Sequence, residues 1–360
     1  MQALIESFRT TIRHASGQRR PLRLRGAGTK DFYGNAPQGE PLDTRQFCGI
    51  VDYDPTELVI TARCGTPLAE IEAELAQRRQ LLAFEAPRFG AGGTLGGAIA
   101  AGLSGPRRQA VGALRDFVLG VQMMDGRGDL LNFGGRVVKN VAGYDVSRLM
   151  AGSLGTLGLI LEVSLKVLPM PFAEQSLCFE MDEPTALARL NAWGGQPLPI
   201  SASAWADGVL RLRLSGAGAA VAAARQKLGG EWMTETDAAA FWKGLRDHSL
   251  TWFDSARQGA TLWRLAVPST TPALPLFGRQ LIEWGGGQRW WLTDASPSHV
   301  RTVAAAARGH ATLFRNGGDG RHGGDVFTAL PQPLLDIHQR LKDAFDPARI
   351  FNPGRLYAQL

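Results

Sequence analysis

The N-terminal part of the chain places apolar residues first at helical and then at strand-like spacing. Leu4, Ile5, Phe8 and Ile12 share one face of a helical stretch, which predicts an amphipathic helix. The segment PLRLRG at 21–26 then alternates apolar and basic residues before a glycine, as a half-exposed strand does. The pattern therefore predicts a helix before the first strand.

Strands and helices continue to alternate up to residue 169. A strand predicted over 58–62 is followed by Thr-Pro at 66–67, a typical helix start, and then by apolar residues at helical spacing. An Asp-Gly turn signal at 125–126 lies between two further predicted strands. A last strand over 157–169 ends at a proline. The first half of the chain is therefore rich in strand and turn signals.

The composition changes after the PMPF sequence at 169–172. All nine tryptophans fall between Trp193 and Trp291, and we expect them in a core and at a protein interface. Alanine-rich segments at 217–228 and 302–308 predict helices in the same region. A change this sharp indicates a second domain.

Three regions follow from this change: 1–171, 172–325 and 326–360. The last region begins with a helix whose apolar residues are clustered and ends in a turn-rich tail. His338 lies on the apolar face of that helix, so we expect it to be a packed core residue.

Composition also excludes some classes of protein. A hydrophobic fraction of 44% and a charged fraction of 20% in 360 residues are typical of a globular protein. The net charge of +6 is not gathered into a basic stripe, so nucleic acid is not an expected partner. The chain has neither a signal peptide nor an apolar run of about 18 to 20 residues, which favours a cytoplasmic location.

The cysteines argue against bound metal. Cys48, Cys64 and Cys178 are odd in number, far apart and without a C-x-x-C pair. This usage is typical of a reducing compartment, and it indicates neither an iron–sulfur cluster nor a structural zinc. We therefore expect no metal site.

The glycines do not form either of the common nucleotide-binding motifs. The literal G-x-G-x-x-G at Gly318, Gly320 and Gly323 has no helix after it, and we interpret it as a surface loop. No glycine is followed by lysine, so a Walker loop is absent from the sequence.

Three other glycine segments lie in the first half of the chain. The first is RGAGTK at 25–30, the second is GAGGTLGGAIAAGLSG at 90–105, and the third is GSLGTLG at 152–158. The first follows a strand directly, which leaves backbone N–H groups free to point at an anion, and each segment carries a hydroxyl residue. One such segment alone would be interpreted as a turn, but together they favour a shared, large anionic ligand with a pyrophosphate.

These segments carry a resemblance. RGAGT, APRFGAGGTLGGAIAAG, GYDVSRLMAGSLGTLGLILEVSLKVLP and FDPARIFNPGRL, in this order, resemble the vanillyl-alcohol oxidase/p-cresol methylhydroxylase superfamily of FAD-binding proteins. The resemblance implies an α+β fold: a two-subdomain FAD-binding domain over 1–171, a short α+β cap domain over 172–325, and a C-terminal segment, 326–360, that returns to the FAD-binding domain. RVVKNVAGYDVSRL and the short length are more similar still to the smaller flavin subunit of bacterial glycolate-oxidising complexes.

The resemblance implies FAD contacts at the positions that match. The first glycine segment resembles the pyrophosphate loop, the second the stretch that passes flavin and diphosphate, the third the stretch near adenine and ribose, and Asn352 a residue at the isoalloxazine edge. The implied contacts are Gly26, Ala27, Gly28, Thr29, Lys30, Gly92, Gly93, Thr94, Leu95, Gly97, Gly152, Ser153, Gly155, Thr156, Gly158, Ile160 and Asn352.

Two positions depart from the superfamily pattern. Leu154 stands where relatives usually carry an acidic residue. Thr29 and Lys30 occupy the region in which many relatives carry a histidine that is linked covalently to FAD. The departure implies that FAD is bound noncovalently.

Catalytic residues are not fixed by the sequence. Larger members that oxidise 2-hydroxy acids carry an H-x-G-D-G-N-x-H motif, which GHATLFRNGGDGRHGG does not match. His310 and His322 are weak candidates for the base that takes the hydroxyl proton. Arg315 or Arg321 could pair with a substrate carboxylate, although a solvated arginine is the default.

Two functions stay open. The resemblance implies a subunit that oxidises glycolate, or another small 2-hydroxy acid, and passes electrons to a larger FAD-containing subunit and an iron–sulfur subunit, with membrane association only through these partners. The alternative is an assembly or electron-relay subunit whose FAD is not the site of substrate oxidation. A self-sufficient FAD oxidase is disfavoured because the cap region is short and lacks an obvious base.

Overall fold

The computed structural model describes residues 1–135, 145–317 and 325–360. The helices are α1 (Gln2–Gln18), α2 (Leu68–Gln77), α3 (Leu95–Ala101), α4 (Arg108–Val111), α5 (Glu183–Gly194), α6 (Gly218–Leu228), α7 (Glu235–Asp247), α8 (Asp254–Arg257), α9 (Pro297–Ala306) and α10 (Gln332–Phe345). Within the described ranges, no helix has both the length and the apolar character that crossing a bilayer requires.

The strands are short and numerous. They are β1 (Leu22–Arg25), β2 (Glu40–Asp43), β3 (Ile50–Asp54), β4 (Val59–Arg63), β5 (Gln80–Leu81), β6 (Val118–Met124), β7 (Leu130–Gly134), β8 (Leu159–Lys166), β9 (Leu168–Pro169), β10 (Ala173–Glu180), β11 (Ile200–Ala206), β12 (Val209–Gly216), β13 (Glu231–Trp232), β14 (Leu262–Ala266), β15 (Arg279–Glu283), β16 (Gln288–Leu292) and β17 (His310–Arg315).

The chain divides into two compact units. The first unit consists of Met1–Ser104, Ala113–Pro169 and Ala329–Leu360, and the second of Gly105–Gly112 and Met170–Thr328. Each unit combines helices with a largely antiparallel sheet, so the predicted α+β class is confirmed.

The first unit is built on an antiparallel sheet in the order β3-β4-β8-β6-β7. Its central strand β8 places buried Leu165 opposite Ile60 of β4 and buried Val163 opposite Val121 of β6. The predicted turn between β6 and β7 is also present. The Asp125 carboxylate stabilises it by accepting hydrogen bonds from two amides within the turn. The apolar strand patterns and the Asp-Gly signal were therefore sufficient to predict β4, β6, β7 and β8 of this sheet.

The helical spacing seen in the sequence buries the expected residues. Phe8 and Ile12 of α1 are buried, and the ring of Phe8 meets that of Phe47 edge-on at 6.2 Å. Leu68 and Ile71 of α2 are buried in the same way. The two predicted helices are confirmed.

The C-terminal helix α10 differs from its prediction. Its only buried residue is Lys342, whereas Leu334 and Ile337 are 46% and 44% exposed. The His338 ring is partly exposed, and its Nδ1 lies 2.8 Å from the carbonyl oxygen of Leu334. The prediction that His338 is a core residue is therefore wrong, because the side chain that this helix buries is the charged one of Lys342.

That charge belongs to a fully bonded ion pair. Lys342 Nζ donates to Asp346 Oδ2 at 2.7 Å and to the carbonyl oxygens of Thr156 and Phe351, both at 2.8 Å. Asp346 in turn accepts from the amides of Ile350 and Phe351. Burial lowers the pKa of Lys342, and the negative charge of Asp346 opposes that shift. The pair thus joins the chain's last segment to the third glycine segment.

The second unit contains an antiparallel sheet in the order β13-β10-β12-β11-β15-β16-β14-β17. Helices α5 and α6 bury Leu187 and Val221 in one apolar cluster with β10 and β12. Helix α9 buries Val300 in a second cluster with Trp263 and Trp291. Most tryptophans are core residues, as expected, and the clearest exception, Trp232 of β13, is 51% exposed.

We expect substitution of Asp346 by Asn to lower the free energy of unfolding by about 3–5 kcal/mol, because Lys342 would keep a buried charge without its counterion. Urea denaturation measures the difference. Asp343→Asn on the same helix is the control, since Asp343 pairs with Arg349 in an exposed ion pair and should change stability by less than about 1 kcal/mol. Equal losses in the two variants would contradict the assignment.

Candidate functional site

The first glycine segment continues directly from β1 as an exposed cradle of backbone. Gly28 has a φ of +74°, which disfavours any other residue, and the Arg25 side chain lies against it while pairing with Asp31 at 2.8 Å. Among the described residues, no acceptor takes a hydrogen bond from the amides of Gly26, Ala27, Gly28 or Thr29. Four successive N–H groups are therefore available to a ligand.

The second glycine segment begins helix α3. Thr94 precedes the helix, and its hydroxyl accepts a hydrogen bond from the amide of Gly97 at 3.3 Å. On the other side, the Gly93 carbonyl accepts from the Leu68 amide and the Leu95 amide donates to Thr66. This segment is thereby fixed to the start of α2.

The second and third glycine segments are joined by their main chains. The amides of Gly152 and Leu154 donate to the carbonyl oxygens of Ile99 and Ala100 at 3.0 and 2.8 Å. Gly102, with a φ of +63°, allows this approach, because a Cβ there would lie 2.7 Å from the Gly152 nitrogen. Two segments about 50 residues apart in sequence thus form one wall.

The hydroxyls of the third segment are used within it. Ser153 Oγ donates to the carbonyl of Met150 at 2.9 Å, and Thr156 Oγ1 donates to the carbonyl of Ser153 at 2.8 Å. Both residues are buried. In this structure the two hydroxyl groups therefore stabilise the conformation of the loop itself.

Asn352 connects the C-terminal tail to two other parts of the wall. Its Oδ1 accepts from the Leu24 amide of β1 at 2.9 Å, and its Nδ2 donates to the Leu154 carbonyl at 2.6 Å. Both ends of the side-chain amide are therefore bonded to backbone.

These segments line an open cleft of about 610 Å³, including the solvent-filled space at its mouth. The cleft shares Leu24, Gly26 and Asn352 with an adjoining, similarly open pocket of about 390 Å³. All residues that line the two spaces belong to the first unit. The sequence-predicted contacts that line them are Gly26, Ala27, Gly28, Thr29, Lys30, Thr94, Gly97, Gly155, Gly158, Ile160 and Asn352. The described residues Gly92, Gly93, Leu95, Gly152, Ser153 and Thr156 do not line either space.

The cleft is basic. Among the described residues, its lining contains Arg23, Arg25, Lys30 and Arg355 and one carboxylate, that of Asp31. Sequence analysis missed Arg23 and Arg355. The alternation of PLRLRG and the arginine after the NPG tail were the available signals, but neither shows that the two side chains reach one cleft.

The catalytic candidates lie elsewhere in the chain. His310 is the first residue of β17 and exposed, and Arg315 is its last residue; both belong to the second unit. Burial lowers the pKa of Arg315, and the charge of Arg257 adds to this shift. His322, Arg321 and the glycines at 318, 320 and 323 lie outside the described residues.

Comparison with known proteins identifies the family. Residues 4–134 match the family model described as FAD binding domain. The whole chain is 46% identical over 359 residues to glycolate oxidase subunit GlcE of Escherichia coli (strain K12), covering 98% of that protein. The chain belongs to the glycolate oxidase subunit GlcE family. The resemblance to the FAD-binding superfamily is thereby confirmed, and FAD is the cofactor of this GlcE-family chain.

More distant relatives share only part of the GlcE-family chain. Glycolate oxidase subunit GlcD of Bacillus subtilis (strain 168) is 32% identical over 164 residues, which are 45% of this chain and 35% of that protein. D-lactate dehydrogenase of Archaeoglobus fulgidus is 29% identical over 167 residues, 46% of this chain and 37% of that protein.

A solved structure of alkyldihydroxyacetonephosphate synthase is similar in fold. It matches 97% of this chain and 75% of its own with a TM-score of 0.66 and 14% identity. The predicted vanillyl-alcohol oxidase type of fold is confirmed by this similarity together with the FAD binding domain.

We expect Gly102→Ala to lower the free energy of unfolding by at least about 2 kcal/mol, because it combines a left-handed backbone with a Cβ against Gly152. Thermal or urea unfolding measures this loss. Gly208→Ala is the matched control: its φ is +80° but a Cβ there meets nothing within 4 Å, so only the backbone strain of about 1 kcal/mol remains. Equal losses would show that the approach of the two segments is not tight.

Proposed function

We propose that this chain is the smaller FAD-binding subunit of a multi-subunit glycolate dehydrogenase, and so an FAD-dependent oxidoreductase that acts on the CH–OH group of a 2-hydroxy acid. The full-length similarity to the GlcE subunit of E. coli glycolate oxidase carries the proposal. The partial similarity to GlcD and to D-lactate dehydrogenase supports the same chemistry on a related class of substrate.

The cleft of the first unit is the proposed site of FAD. Four amides without an acceptor fit the diphosphate, which binds backbone N–H groups in such loops. Four basic residues against one carboxylate fit its negative charge. The adjoining pocket, with Cys64, Leu159 and Ile160 in its lining, offers an apolar surface to a ring system. The proposed contacts are those that the resemblance implies, and those that line the cleft are the best supported.

Noncovalent attachment is part of this proposal. The described lining of the cleft contains no histidine, and Cys64, the cysteine in the adjoining lining, is buried. Burial raises the pKa of the Cys64 thiol to about 12, which keeps it protonated and weakly nucleophilic. Neither a histidine nor a reactive cysteine of the described lining is therefore available for a covalent bond to the flavin.

When bound, FAD supplies the acceptor for the hydride that leaves the hydroxyl-bearing carbon. The chain must then bind the substrate carboxylate and take the hydroxyl proton. The catalytic residues stay unassigned in this proposal: His310 and His322 are weak candidates for the base, and Arg315 is a weak candidate for the carboxylate partner. A guanidinium suits the carboxylate because it donates two parallel hydrogen bonds.

One observation favours the second candidate function, an assembly or electron-relay subunit. The cleft's described lining includes Asp31 as its only carboxylate and no histidine, and Asp31 already pairs with Arg25. A base within this lining is therefore not available, which suits a subunit whose FAD passes electrons without oxidising substrate itself.

Partners are part of either function. Three cysteines are too few for a four-cysteine cluster, so electrons from the flavin would leave to an iron–sulfur subunit and a larger FAD-containing subunit. We propose a cytoplasmic location with membrane attachment through these partners only.

We expect purified protein to bind FAD and to release all of it on acid denaturation, as absorbance of the supernatant will show. Gly28→Ala should weaken FAD binding by at least about tenfold, because it strains the loop that offers the four amides. Gly208→Ala, with a comparable φ in the second unit, should not change FAD binding. A wild-type chain without affinity for FAD would refute the proposed site.

Anaerobic addition of glycolate separates the two candidate functions. If this chain oxidises substrate, glycolate should bleach the flavin absorbance of the isolated subunit near its main visible band. If it acts in assembly or relay, bleaching should occur only after the partner subunits are added. His310→Ala and Arg315→Ala should abolish bleaching by the isolated subunit in the first case and have little effect in the second.

A further inference from the structure

Arg23 is a basic residue of the cleft that the glycine motifs do not reveal. It is the second residue of β1, where it pairs in register with Pro41, and it lines the cleft beside the first glycine segment. The residue is partly buried, and its Nε is shielded from solvent without a hydrogen-bond partner. A shielded N–H without an acceptor is unfavourable, so the site is suited to an acceptor that arrives with a ligand.

The other basic residues of the cleft are engaged. Arg25 pairs with Asp31. Arg355 donates to the carbonyl oxygens of Asp31, Lys30 and Asn35. Lys30 also has interactions, among them its ammonium group 5.8 Å from the ring centre of Phe89. The side chain of Arg23, by contrast, makes no hydrogen bond or ion pair with the residues that the structure describes.

The charges around Arg23 favour an anion. The described lining of the cleft contains four basic residues and one acidic residue, an excess of three positive charges. Burial lowers the pKa of Arg355, Asp31 opposes the shift, and the charge of Arg23 adds to it. The two guanidinium groups therefore repel each other, and a doubly charged group between or beside them would relieve that repulsion.

We propose that Arg23 binds the diphosphate of FAD in this cleft, in addition to the amides of the first glycine segment. The inference rests on the proposed function, because it assumes that FAD occupies the cleft. A guanidinium forms short, parallel hydrogen bonds to phosphate oxygens, which the flavin and adenine rings do not offer. Arg23 is thus a positioning residue for the cofactor and not a participant in the reaction.

The test compares Arg23→Gln and Arg23→Lys with the wild type in the full-length chain, freed of flavin and titrated with FAD. Quenching of flavin fluorescence gives the dissociation constant at several salt concentrations. Arg23→Gln should raise the constant by about tenfold or more and flatten its dependence on salt, since one charge-assisted contact is lost. Arg23→Lys should keep the salt dependence and part of the affinity.

The control for the loss of one positive charge is Arg78→Gln. Arg78 is exposed and lies away from the cleft lining, so the dissociation constant of this variant should stay within about twofold of the wild-type value.

A second measurement reports on the contact itself. The ³¹P NMR resonances of bound FAD should shift in Arg23→Gln and stay in place in Arg78→Gln, while the visible spectrum of the flavin is unchanged in both. If Arg23→Gln does not fold, as judged by thermal unfolding of the apoprotein, Arg23→Lys must still shift the resonances. Unchanged resonances, or an FAD affinity within about twofold of wild type, would overturn the inference.

The outcomes separate this inference from the proposed function. If the wild type does not bind FAD, or if Gly28→Ala leaves binding unchanged, the proposed cofactor site fails and the role of Arg23 fails with it. If Gly28→Ala weakens binding and Arg23→Gln does not, only the role of Arg23 is wrong.

Discussion

The buried ion pair of Lys342 and Asp346 is the constraint on which the architecture of the first unit depends. Two charges in a dry interior are tolerated only when their remaining hydrogen-bonding capacity is satisfied, and here three acceptors surround the ammonium group while backbone amides complete the carboxylate. The backbone groups that bond to this pair belong to loops. The ion pair therefore fixes backbone segments that are not part of a sheet. Six residues beyond Asp346, Asn352 extends the same connection to β1 and to the third glycine segment.

The cleft is consequently a product of main-chain bonding. Backbone hydrogen bonds join the second glycine segment to the third, and the side-chain amide of Asn352 joins the tail to both β1 and the third segment. These hydrogen bonds hold the walls of the cleft in place without using the amides of the first glycine segment. Glycine, alanine and amides without an acceptor can therefore form much of its surface.

Local patterns in the sequence were sufficient for elements whose stability comes from one apolar face. Phe8 and Ile12 in α1, and the strands on either side of Asp125, formed as their spacing predicted. Helix α9 begins at Pro297, earlier than the alanine-rich stretch indicated, because Ser296 accepts from the His299 amide and caps it. The Ser-Pro pair at 296–297 is a helix-start signal in the sequence itself.

The rest depended on contacts between distant positions. In α10 the spacing of Leu334, Ile337 and His338 indicated a core face, yet the buried residue is Lys342, whose partners include a carbonyl 186 residues earlier in the chain. The three glycine segments together indicated one anionic ligand, and the resemblance named it as FAD. The cleft and the adjoining pocket bring most of the implied contacts together. Arg23 and Arg355 could not have been added from sequence, since nothing local distinguishes an arginine in a cleft from one in water.

The position of Asn352 and Arg355 in the chain has a consequence for biosynthesis. The cleft is lined by Leu24 of β1 and by Asn352, which are 328 residues apart in the chain. A chain that has been synthesised only as far as α10 contains every strand of both sheets but lacks Asn352 and Arg355. A copy cut between α10 and Asn352 would therefore lose this part of the cleft lining while it keeps all its strands.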